Sequence, residues 1–296
     1  MPKKSCLGFI LVFLLVLPVI SGCVASQPAD RQHIVPASAS AVAPSSVSPS
    51  MTPFDEDTGT MKVIGIIGGV SWTSSVDYYR IMNERVQDLL GGDNSAKILM
   101  YSIEFGEFSK QERLAAAGNW DPLNGTMIDA ALRLKNGGAD FIVIASNTMN
   151  SRADDIEKKV GLPVLRIYDV TGSKVNKSGI KKVALLGTKY TMEADFYRNA
   201  LENKYGVRVV TPNLTEREYI NRVIFDELCR NDIRNESRQE YVRIINRLVD
   251  EDGAQGIILG CTEIPLFIHQ SDVKVPVFDT TRIHAEAAVD YALNLT

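Results

Sequence analysis

The chain has 296 residues, and its 36 acidic and 32 basic side chains are interspersed, for a formal charge of −4. That balance leaves no basic stripe of the kind that tracks phosphates, so nucleic acid is excluded as the expected partner. Four cysteines and three histidines are scattered without metal-ligand spacing, which excludes a disulfide framework and a metal site.

Residues 1–22 open on Lys3 and Lys4, continue through an apolar run from Leu7 to Ile20 and close on Ser21-Gly22. This is the layout of a secretion signal, too short and wrongly flanked for a membrane span. Ile20-Ser21-Gly22-Cys23 resembles a bacterial lipobox, whose cysteine is acylated and becomes the mature N-terminus; the alternative is an ordinary secretory signal with Cys23 there by chance. The expected location is the cell envelope, lipid-anchored at Cys23 and facing the periplasm from the outer membrane, with the lipid as the only membrane contact. Residues 23–60, rich in Ser, Ala and Pro, bury too little apolar surface to offset the entropy of ordering and read as a flexible tether. With Cys6 removed and Cys23 lipidated, Cys229 and Cys261 are left in an oxidising compartment.

From Met61 onward, short β-branched runs alternate with longer amphipathic stretches, the pattern of βα units around parallel sheets. Strands are predicted at Val63–Ile67, Ile98–Ser102, Phe141–Ala145, Val164–Ile167, Val183–Leu186, Val207–Val210, Gly256–Leu259 and Val275–Phe278. Helices are predicted around Ser75–Leu90, Thr126–Asn136, Met192–Lys204, Glu216–Cys229, Arg238–Asp252 and Arg282–Leu293, with 105–118 left as a loop.

The second half of this region repeats the first. Gly68 after an apolar strand answers Gly187, Gly138-Ala139-Asp140 leading to Ser146 answers Gly253-Ala254-Gln255 leading to Cys261, and Pro163 answers Pro276, at offsets of 119, 115 and 113 residues. The expected fold is α/β, with two similar parallel-sheet domains related by a pseudo-twofold axis: 61–173 plus 281–296 form the first, 174–280 the second. Ligands of open parallel sheets bind beyond the carboxyl ends of the strands, so the expected site is the cleft between the halves.

Gly68-Gly69-Val70-Ser71 follows a strand and precedes a helix, so its amides can hold an anion or simply form a tight turn and cap. Thr188, beside Gly187, has the same two readings. The glycines do not make a dinucleotide fingerprint. Cys261 ends an apolar strand, where a following helix start would depress a thiol pKa; a buried structural cysteine is the ordinary alternative.

Three segments, Ile64-Gly65-Ile66-Ile67-Gly68-Gly69-Val70-Ser71-Trp72, Asn147-Thr148-Met149 and Leu259-Gly260-Cys261-Thr262-Glu263-Ile264-Pro265, resemble those of the aspartate/glutamate racemase family. The resemblance implies a cofactor-independent amino-acid racemase that uses two cysteines on opposite faces of the substrate, acting on aspartate, glutamate or a similar small amino acid. By the same resemblance Cys261 is the surviving catalytic thiol and Ser146 stands where the family has its other cysteine. Asn150 stands where a histidine is common. Asn147, Thr148 and Thr262 are implied to bind the substrate, with Gly69, Val70, Ser71 and Thr188 around it and Gln111 contributing from the loop after the second strand. Glu263 would orient the substrate ammonium, although an exposed glutamate at a helix start is the commoner reading. Cys229, on a polar helix, is expected to be inert. A binding lipoprotein that kept the cleft without efficient catalysis is the main alternative, and an isomerase with a nucleophilic thiol at the Ser146 position ranks last. A homodimer is the assembly considered, and the sequence leaves the oligomeric state open.

Overall fold

The structure, a computed structural model, describes residues 61–295; the expected signal, tether and Cys23 lie outside the described residues. In the first half, β1 (Ile64–Gly68), α1 (Trp72–Leu90), β2 (Ile98–Ser102), α2 (Phe105–Ala116), α3 (Asp121–Asn136), β3 (Phe141–Ile144), α4 (Ala153–Val160) and β4 (Val164–Leu165) follow in order, and α5 (Ile167–Lys177) leads out of it. The second half runs through β5 (Lys182–Gly187), α6 (Lys189–Glu193), α7 (Asp195–Asn199), β6 (Arg208–Val210), α8 (Leu214–Asp226), α9 (Asn235–Asp250), β7 (Ile257–Gly260) and β8 (Val277–Asp279), and ends on α10 (Thr280–Ala292). The β-branched runs become strands because helices cover both faces: every residue of β1, β3 and β7 is buried.

Each half builds one four-stranded parallel sheet, in the orders β2-β1-β3-β4 and β6-β5-β7-β8. Strand order and register both repeat. Ile67 pairs with Ile144 as Leu186 pairs with Leu259, and Ile142 pairs with Val164 as Ile257 pairs with Val277. The expected pair of similar parallel-sheet α/β units is what the chain forms.

The halves exchange their last helices. Ile167, Tyr168 and Val175 of α5 pack in one core with Val183 and Leu185 of the second sheet, whereas Ala285, Ala288 and Val289 of α10 pack with Ile64, Ile66 and Tyr78 of the first. The packing therefore places 167–177 with the second half. The helices' buried polar residues also correspond. His284 receives a hydrogen bond from Tyr78 on α1 and donates to Leu165 O, both at 2.8 Å. That carbonyl can only accept, so Nε2 carries the proton and Nδ1 accepts from the tyrosine. Thr171 and Tyr197, likewise buried, hold the corresponding places on α5 and α7.

Three local expectations are corrected. Residues 105–116 form α2 rather than a loop, its first turn capped by Glu104, whose carboxylate accepts from the amides of Gly106 and Glu107. The single helix expected over Met192–Lys204 starts earlier, with Thr188 capping the Thr191 amide, and breaks where Ala194 is extended. The strand expected through Ile167 stops at Leu165, and Ile167 begins α5.

Candidate active site

Ser146 lies two residues beyond the end of β3, at the place Cys261 occupies after its register partner in the second half. Both side chains line one cleft between the sheets, and both residues are 7% exposed. Glycines hold the floor on the cysteine side. A Cβ on Gly187 would lie 2.5 Å from Gly260 O, so the ends of β5 and β7 can approach closely just before Thr188 and Cys261.

The Cys261 thiol donates to Glu263 Oε2 at 3.0 Å, and the Thr262 hydroxyl donates to the same oxygen at 3.0 Å. Ser71 donates to the other oxygen, Oε1, at 2.8 Å, which leaves Thr73 as the donor in its 2.8 Å contact with Ser71. Glu263 is thus buried and held by three hydroxyl or thiol donors, not exposed at a helix start. The expected depression of the thiol pKa is overturned as well: burial, and then the Glu263 charge, push Cys261 well above its ordinary value. The residue types at a strand end did not reveal that a carboxylate would fold back onto the thiol.

Ser146 has different neighbours. Its hydroxyl accepts from Met149 N at 3.3 Å, and no carboxylate contacts it. Asn150 does not reach the cleft. Fully buried, it donates to Ile144 O and Ser146 O and accepts from Ile167 N, tying the end of β3 to the start of α5.

Asn147 donates to Thr280 Oγ1 at 2.9 Å, and that hydroxyl donates onward to Leu259 O at 2.7 Å, while Asn147 Oδ1 is buried with no partner. Thr148 meets Thr188 and Thr191 at 2.9 and 3.0 Å, closing a ring of hydroxyls between the halves. Val70, Ser71, Thr148, Thr188, Thr262 and Glu263 all line the cleft.

Two expected contacts are not brought in. Gly69 is not part of the lining: its amide is already bound to Ser75 Oγ at 2.8 Å, and its backbone, at φ +84°, is pressed so close to Ile103 that a Cβ would lie 2.2 Å from that carbonyl oxygen. Gln111 sits on α2, and the residues of that helix in the lining are Phe105 and Glu112.

Sequence reasoning missed Glu112 and Cys229. Burial, reinforced by the Glu263 charge, raises Glu112 to about 7. Cys229 lies in a short 3₁₀ turn after α8, shares the cleft with Cys261, and has its pKa raised, mainly by burial. Only the polar 105–118 stretch could have flagged Glu112, and nothing local marks Cys229. Among the described residues no group of three or more His, Cys, Asp or Glu is arranged to hold a metal ion.

Residues 67–288 match the family described as Asp/Glu/Hydantoin racemase. The broad specificity amino-acid racemase RacX of Bacillus subtilis (strain 168) is 22% identical over 233 residues, covering 77% of this chain and 96% of that protein. Among solved structures, a candidate Asp/Glu racemase from Yersinia pestis is 50% identical, with 79% of this chain and 100% of that chain covered and a TM-score of 0.71. An aspartate racemase homologue from Pyrococcus horikoshii OT3 is 39% identical, with 78% and 99% covered and a TM-score of 0.67.

Proposed function

Because the chain belongs to the Asp/Glu/hydantoin racemase family, we propose that it inverts the Cα configuration of a free amino acid without a cofactor, with Cys261 and Ser146 serving opposite faces of Cα. The observation that carries this reading is the placement of the two side chains at matched strand ends, both lining one cleft. Inversion needs a base on one face and an acid on the other, and two related half-sites facing each other supply that pair.

Before substrate binds, Cys261 is a thiol, its proton directed at Glu263 Oε2. An incoming substrate ammonium offsets the Glu263 charge that opposes thiolate formation. The thiol proton then passes to Glu263, and the thiolate removes the Cα proton. Negative charge develops on the substrate carboxylate, which the Thr148 amide and the Thr148 and Thr188 hydroxyls, once turned out of their ring, can stabilise. Ser146 donates its proton to the opposite face. Cys261 ends as the thiol, carrying the former Cα proton, so the groups left to reset are Glu263, which holds one proton too many, and Ser146, which has lost one. Once product leaves, Glu263 releases its proton and Ser146 regains one by exchange with water. A hydroxyl is a far weaker acid than a thiol, so the serine face is the slow one.

The test is a screen of proteinogenic L-amino acids, aspartate and glutamate first because the family resemblance points to them, for loss of optical activity and for Cα hydrogen exchange in D₂O. The reading fails if an amino acid stabilises the protein against heat yet none exchanges, because that is the behaviour of a binding protein.

We also propose that the chain is anchored through lipid on Cys23, supported by the Ile20-Ser21-Gly22-Cys23 tetrad and the Ser/Ala/Pro-rich stretch behind it. Mass spectrometry of the N-terminal peptide from the native host is expected to find an acylated Cys23 at the mature N-terminus. Cleavage elsewhere, or an unmodified Cys23, would contradict it.

A further inference from the structure

Acceptors in the cleft outnumber cations. Two carboxylates, Glu112 and Glu263, are in its lining, and no lysine, arginine or histidine is. Glu263 is already engaged by Ser71, Cys261 and Thr262. Glu112 is not: its Oε2 is buried without a hydrogen-bond partner. Asn147, only 2% exposed, likewise keeps Oδ1 unpartnered at the same cleft. Buried acceptors that lack donors are costly; the other five buried side-chain atoms without a partner among the described residues lie outside the cleft lining, so what singles out these two is their place in it. The same lining carries apolar side chains, Phe105 of α2 and Ile224 and Phe225 of α8.

We propose that Glu112 selects the substrate side chain and that the substrate is a basic amino acid, its methylene stem lying along Phe105, Ile224 and Phe225 and its terminal ammonium or guanidinium meeting Glu112. Asn147 Oδ1 then accepts from the α-ammonium. The assignment rests on the racemase reading for the place of Cα between Ser146 and Cys261. An aspartate or glutamate would bring a second carboxylate into a lining that already holds two and offers it no cation, in surroundings where like charges are poorly screened. A basic substrate inverts that balance and gives Glu112 the donor it lacks. The rise of Glu112 to about 7, from burial and the Glu263 charge, accords with a carboxylate awaiting a counter-charge.

The full chain is assayed with L-lysine, L-ornithine and L-arginine against L-glutamate, L-aspartate and L-norleucine, which matches lysine's stem without its charge. Two readouts are taken, Cα hydrogen exchange in D₂O and thermal stabilisation by the amino acid. The expected result is a kcat/KM for a basic amino acid about 100-fold above that for glutamate. In Glu112→Gln the lysine-to-norleucine ratio is expected to collapse by about the same factor, mostly through KM. Glu112→Asp, which keeps the charge, should hold more of that ratio, so a poorly folding Glu112→Gln does not rescue the idea. Faster exchange of glutamate or aspartate than of any basic amino acid would overturn the side-chain assignment and leave the racemase reading standing. Stabilisation by lysine that depends on Glu112, with no exchange of any amino acid, would support the assignment and remove the racemase reading. Absence of both exchange and stabilisation with every basic amino acid would overturn the proposal.

Discussion

Two positions beyond Ser146 stands Thr148, and two beyond Cys261 stands Glu263, at matched places in the repeated fold. Each reaches across to the other half. Thr148 bonds the hydroxyls of Thr188 and Thr191, and Glu263 accepts from Ser71. The scaffold therefore repeats its cross-contacts while their chemistry differs: the serine side faces neutral hydroxyls, and the cysteine side faces a buried carboxylate that can take a thiol proton. Sheet topology delivers two groups to one cleft; under the proposed mechanism it is the residue two positions on that decides which of them acts as the base.

Removing the cysteine should break the comparison most severely. In Cys261→Ala both exchange and racemisation are expected to fall by about 10³-fold, the middle of the range for losing a positioned base, whichever amino acid proves to be the substrate. Exchange kinetics in D₂O with purified variant measure it, and activity that survives would move the chemistry away from this thiol.

The crossing helices offer the next largest difference, because α10 carries a titratable residue where α5 carries Thr171. Burial lowers His284 to about 4, and its hydrogen bond to Leu165 O only partly opposes that shift. An unfolded histidine near 6.5 takes up its proton first as pH falls, so this contribution is fully present above about 6.5 and is lost as pH drops toward 4. The loss should approach about 3 kcal/mol at pH 4. Denaturant melts of the parent and of His284→Gln across that range check it. Parallel slopes in the two proteins would show that the acid sensitivity lies elsewhere.

A smaller effect is expected from Glu263→Gln, which keeps the shape but cannot receive the thiol proton. Exchange should slow by about 30-fold to 100-fold. The Cys261 pKa should move down, because the negative neighbour that raises it is gone. Alkylation rates against pH in a Cys229→Ser background separate the two effects. A thiol pKa that stays put or rises would contradict the assigned cause.

The framework was legible because it is periodic and repeated. Eight β-branched runs became eight strands within two residues at each end, and the Gly138 and Gly253 repeats led to matched positions just beyond the ends of β3 and β7, at Ser146 and Cys261. What the sequence hid has tertiary causes. α2 buries little more than Phe108 and Ala115, too thin a stripe to register as a helix, so Glu112 was lost with it. In α5, Gly172 and β-branched residues argue against a helix, yet a Cβ on Gly172 would lie 2.4 Å from the Tyr205 ring, so the glycine serves close packing. The raised Cys261 thiol depends on its burial and then on Glu263 folding back beneath Ser71, a residue 192 positions away in sequence, and no local pattern encodes either.

The asymmetry itself is tested most directly by following one L-amino-acid substrate in D₂O and comparing Cα exchange with retention against racemisation, in the parent and in Ser146→Cys. If Cys261 works its face quickly and the serine face is slow, the parent exchanges faster than it racemises, and Ser146→Cys accelerates racemisation roughly tenfold or more while changing exchange far less. Equal rates of exchange and racemisation in the parent, left equal by Ser146→Cys, would contradict the account.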